Sequence, residues 1–169
     1  MNQELIVLQL NEWMMSFVEQ PNPSLGSWAP CPYARQARIN GRTSIKFSTI
    51  SELRDVVKES IETLEHKDVV VICFDHQYID PVSLQEFVTG MNKMLIPIDY
   101  VILEDHPDAP EYINGVKMNF GRCGLLLMQR LSKLNEASEQ LKQKGYYDSW
   151  SRENLDYVVN WRNDEILQN

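Results

Sequence analysis

Long apolar runs are missing from this chain, and no stretch approaches the ~20 residues that a membrane-spanning helix needs. Cysteine is scarce and odd in number: Cys31, Cys73 and Cys123 in 169 residues do not make a disulfide framework. Positive charge is also short. With 16 Lys and Arg against 24 Asp and Glu, the formal net charge is −8. That balance excludes a general nucleic-acid or anionic-membrane binder, because a phosphate surface would repel the whole field. Phosphate-cradling glycine fingerprints, a serine nucleophile elbow and a His-Glu-x-x-His metal helix are all absent. So are repeats, low-complexity tracts and any linker that would divide residues 1–169, so one domain is expected. Met1-Asn2-Gln3-Glu4 lacks the basic start of a signal peptide, and a reducing cytoplasm is the expected home.

What is present is an ordinary globular mixture, 43% hydrophobic and 24% charged. Ile6, Leu10, Trp13, Met14 and Phe17 fall at helical spacing and predict a helix over 3–18, with a strand at 4–9 as the alternative. Pro21, Pro23, Gly26 and Pro30 exclude regular structure before Cys31-Pro32, which reads as cap and first residue of a short helix. Strands are expected at 43–48, 69–74 and 99–104. Between them lie two amphipathic helices, one opening on the capping box Thr49-Ile50-Ser51-Glu52 and one on Asp80-Pro81. An irregular loop should cover 105–119, and a long helix should run from about Gly121 to Lys144, ended by Gly145. Ser151 would cap a final helix. Strands alternating with helices point to an α/β fold: a single domain with a small three-stranded, mostly parallel sheet, covered by the N- and C-terminal helices.

Two strands end alike. Val69–Phe74 runs into Asp75-His76, and Tyr100–Glu104 runs into Asp105-His106. In a parallel sheet both pairs emerge at the carboxyl edge, where open α/β sheets build their sites. Imidazole with carboxylate can hold a divalent metal or work as base and orienter, so His76, His106, Asp75 and Asp105 form a candidate metal set. Asp-His at a strand exit also serves simply to begin a turn. Cys31 is the second lead. A thiol at a helix start, with Arg35 and Arg38 close in sequence, is placed to ionise, unless it is a small buried residue closing a loop.

Cys-Pro-Tyr alone is also part of the glutaredoxin motif, but Ala34 replaces that motif's second cysteine and no strand precedes it. Trp13, Cys31-Pro32-Tyr33-Ala34, Gly41-Arg42, His106-Pro107-Asp108 and the segment from Tyr112 to Arg122 occur in an order that resembles another group. This is an uncharacterised family of small bacterial proteins with a Cys-Pro-Phe-Ala signature after an N-terminal tryptophan helix, and a later His-Pro-Asp segment. The similarity spans 10–145, with Tyr33 in place of phenylalanine. It implies that Cys31, His106 and Arg122 belong to a shared pattern, and it supplies no activity.

Three functions remain open. The first is a thiol-dependent enzyme or redox protein using Cys31 with His106, in which Arg122, Arg35 and Tyr33 bind a small anionic substrate. The second is a non-catalytic accessory protein with the acidic 105–119 loop as its protein-partner surface. The third is a Cys/His metal protein. A small molecule or a protein is thus the expected partner, and the oligomeric state is not legible in the sequence.

Overall fold

The computed structural model describes residues 1–162. The three expected strands form, as β1 (Thr43–Ser48), β2 (Val69–Phe74) and β3 (Tyr100–Asp105). Two short strands, β4 (Tyr112–Ile113) and β5 (Val116–Lys117), make a separate hairpin inside the segment expected to be irregular. Its turn is Asn114-Gly115, both with positive φ, the conformation this dipeptide favours. A sixth strand, β6 (Gly124–Arg130), replaces the first half of the expected 121–144 helix.

The main sheet therefore has four strands in the order β1-β2-β6-β3, and is mixed rather than mostly parallel. β1 and β2 pair in parallel across a helical crossover, while β6 pairs antiparallel with β2 on one side and β3 on the other. The expectation of a helix there fails for a physical reason. Leu125, Met128, Leu131 and Leu134 satisfy a helical period, yet Leu125-Leu126-Leu127-Met128 is also a continuous apolar run suited to a strand buried on both faces. Pairing along both edges decides between the two.

Helix α1 (Gln3–Trp13) begins on the Asn2 side chain, which accepts from the Leu5 N–H, and continues as a wider turn over Met14–Val18. Helix α2 is only Ala34–Ile39, with Tyr33 at the cap. Cys31 and Pro32 thus precede the helix rather than open it. Helix α3 (Leu53–Thr63) starts after the expected capping box, whose Thr49 hydroxyl bonds Glu52 at 2.7 Å in the turn before it. Helix α4 (Pro81–Leu95) starts as the sequence indicates, with Asp80 accepting from the N–H groups of Val82 and Ser83. Helix α5 (Leu131–Gln143) follows β6 without a loop, and Asp99 caps it from outside: its carboxylate accepts the Ser132 N–H and hydroxyl, both at 2.7 Å. Helix α6 (Arg152–Leu155) starts on Ser151, as expected.

Helices α3 and α4 cover one sheet face, burying Leu53, Val57, Leu84, Val88 and Met91 against Val70, Ile72, Phe74, Ile102, Leu126 and Met128. On the other face Ile6 and Leu10 of α1 pack on Val71, Cys73 and Leu125, with Phe120 and Cys123. This second layer is incomplete, and Val69 and Leu127 stay only partly buried within it.

Candidate functional site

β2 and β3 run in the same direction because both oppose β6. Asp75-His76 and Asp105-His106 therefore do emerge at one edge, and the two imidazoles meet edge to face with centroids 5.6 Å apart. Their chemistry is already committed. His106 is 3% exposed. Its Nδ1 accepts the Asp108 N–H at 3.1 Å, so the proton is on Nε2, which donates to the Ile79 carbonyl at 2.9 Å. Neither nitrogen is free to act as base or ligand. Asp105 is 8% exposed, accepting from Asn119 Nδ2 at 2.8 Å and the Phe120 N–H at 2.9 Å. Asn119 also accepts the Glu111 N–H at 2.6 Å. These residues fasten the two ends of the hairpin loop together. Asp75 caps a single turn, accepting the Gln77 N–H at 3.1 Å, and lines an open polar hollow of about 610 Å³ with Ser48, Thr49, Ser51 and Glu52. Among the described residues no group of three or more His, Cys, Asp or Glu side chains is placed to hold a metal ion. The set His76, His106, Asp75 and Asp105 is corrected accordingly: His106, Asp105 and Asp75, three of its four members, act as structural hydrogen-bonding groups.

Cys31 lies elsewhere. Its N–H bonds the Val18 carbonyl at 3.0 Å, and it lines a cleft that His106 does not border. Among the described residues Cys31 and His106 share no cleft, and both nitrogens of His106 are occupied, so the two do not form a joint site. Nor is the thiol activated. Although the residue keeps an exposed face, protein enclosing the sulfur pushes its pKa up, and the Glu19 carboxylate adds to this; the Tyr33 and Ala34 N–H groups only partly oppose it. A six-residue helix beginning three positions later supplies little dipole. Arg122 and Arg35 are exposed and neither lines the cleft that Tyr33 borders, where the Tyr33 hydroxyl lies 3.3 Å from Gln140 Oε1. Arg38 is taken by Glu19 at 2.6 and 2.9 Å.

Two clefts were not visible in the sequence. One, of about 400 Å³, lies between α4, β3 and the C-terminal segment, where Glu104, Glu111 and Asp156 gather near Tyr157. The Tyr157 hydroxyl donates to Glu111 at 3.0 Å. Burial pushes the carboxyls of Glu104, Asp105 and Glu111 up. An acid whose pKa is raised by folding binds its proton more readily folded than unfolded. Its charge thus costs stability above the folded pKa, and the cost fades as pH falls through it. Glu111→Gln is accordingly expected to stabilise the protein more at pH 7 than at pH 5. Urea midpoints of wild type and variant at the two pH values check this; an equal difference at both would contradict it.

The other cleft, about 380 Å³, is the apolar one that Cys31 borders. Its floor is the incompletely covered sheet face: Val69 and Val71 of β2 beside Leu125, Leu127 and Gln129 of β6. Leu10, Trp13 and Met14 form one wall, Tyr33 and Ala37 a second, and Leu134 and Ala137 of α5 a third. Lys133 and Asp68 stand at the mouth. The cleft could not be read from the sequence, since α1, α2, β2, β6 and α5, elements distant in sequence, all contribute to its lining.

No family model matches this chain, and no curated protein or solved structure matches it.

Proposed function

We propose that this is a small-molecule-binding protein whose ligand lies, apolar part down, on the open sheet face between α1, α2 and α5. One observation carries the reading: Leu127, in the middle of a strand paired on both sides, is still only partly buried. A residue at that position is normally sealed, and uncovered apolar area loses about 25 cal/mol per Å² of burial. A cleft of this size, mainly apolar with few polar groups at its rim, is the usual form of a small-ligand site. Cys31 and Tyr33 join this site as wall residues rather than as catalytic groups. The reading of Cys31 with His106 as a catalytic pair loses its geometric basis.

The test is titration with N-phenyl-1-naphthylamine, an uncharged dye that brightens in apolar surroundings. Wild type should bind it saturably, with one dye per chain. Ala137→Phe, which extends an α5 wall residue into the cleft, should weaken binding at least tenfold with little change in thermal midpoint. A linear, unsaturable signal from wild type, or unchanged binding by the variant, defeats the proposal.

A further inference from the structure

Resting on that reading, we infer that the ligand of the cleft is an aliphatic carboxylate whose acid end meets Lys133 at the mouth. Asp68 stands beside Lys133 at the mouth. The Arg42 guanidinium holds it bidentately, Nε to Oδ2 and Nη2 to Oδ1, each at 2.8 Å. Both carboxylate oxygens thus already have a charged partner. Lys133 stands 3.7 Å from Asp68 Oδ1, beyond hydrogen-bond range, with its side chain 57% exposed. Two cations share one anion, which leaves one positive charge over at the mouth of an apolar cleft in a chain of net charge −8.

Among the described residues no other lining residue competes for that role. Arg130 borders the cleft, but alternation along β6 sends its side chain to the opposite face, where the guanidinium lies 5.0 Å from the Tyr100 ring centroid. The deep wall and floor, Leu10, Trp13, Met14, Val71, Leu125 and Leu127, contain no ionisable group. Gln129 faces the same side as Leu127 and, with Asn40, adds neutral amides near Lys133. A cationic ligand would be repelled at the mouth. A neutral one would leave the lysine unused. The cleft's 380 Å³ corresponds to about a dozen non-hydrogen atoms at the ~30 Å³ that each water occupies in the liquid, the size of a carboxylate of about ten carbons.

The experiment displaces N-phenyl-1-naphthylamine with decanoate, decanol or decyltrimethylammonium, at low salt and at high salt. Decanoate should compete at least tenfold better than decanol at low salt, and the ammonium compound worst. High salt should erode the advantage of decanoate and leave decanol unchanged, because the mouth is exposed to screening. Lys133→Met should bring decanoate down to the level of decanol, while Lys133→Arg should keep the preference. If the dye binds wild type but decanoate and decanol compete equally, or Lys133→Met retains the preference, the carboxylate assignment is overturned and the cleft remains a binding site. If the dye does not bind at all, both fall.

Discussion

Gly124→Ala is expected to destabilise the protein by about 3 kcal/mol, at the upper end for overpacking a core. Gly124 sits directly opposite Phe74 in the antiparallel pair of β2 and β6. A Cβ at 124 would collide with the Phe74 ring at atoms Cε2, Cζ and Cδ2. The ring cannot yield, because Phe74 is fully buried in the layer formed by α3 and α4. The glycine is there for space, since its backbone is ordinary strand and its φ is not in the left-handed region. Urea unfolding measures the loss. The decisive control is the pair with Phe74→Leu: the double variant should be at least ~1 kcal/mol more stable than the two single losses predict, as expected of residues in direct contact. Simple additivity would show that the clash is relieved some other way.

Asn92→Ala should cost a similar amount, about 3 kcal/mol, through unmade hydrogen bonds. Asn92 is buried on α4, and its amide faces the peptide of Ile102 in both senses. Nδ2 donates to the Ile102 carbonyl and Oδ1 accepts the Ile102 N–H, each at 2.9 Å. β3 is an edge strand, so this single side chain takes the place of a neighbouring strand. Truncation strands two buried backbone groups at once. Amide exchange at Ile102 should accelerate far more than at residues paired with β6, and Asn92→Asp, which keeps an acceptor and loses the donor, should fall between. An unchanged Ile102 exchange rate would refute the assignment.

Local signals were read correctly where their cause is local. Asp80 and Ser151 cap what they precede. The strands expected at 69–74 and 99–104 form, over Val69–Phe74 and Tyr100–Asp105. The two Asp-His exits share an edge, though through an intervening antiparallel strand rather than direct adjacency. The errors all have non-local causes. Residues 124–130 are a strand because two partners claim them. His106 is occupied by the backbone of Ile79 and Asp108, which a sequence pattern does not reveal. The Thr49–Glu52 box holds a turn in advance of its helix because the chain must first turn away from β1. The cleft was illegible for the same reason: Trp13, Leu127 and Ala137 are unremarkable apolar residues until the sheet brings them together.

The placement of β6 also orders events in time. Synthesis delivers β1, β2 and β3 before residues 124–130 exist, and yet β2 and β3 touch only through those residues. Until then they must wait about 10 Å apart, or pair wrongly with each other in the space reserved for the strand still to come. Val69–Phe74, continuous and β-branched at four of its six positions, is the segment most exposed to that error, and to association with other chains. Closing the sheet depends on contacts such as Phe74 with Gly124, far apart along the chain, a topology of the kind that slows folding. A nascent chain halted before Gly124 would hold two unfinished strand edges, one on β2 and one on β3, with the strand that satisfies both still missing.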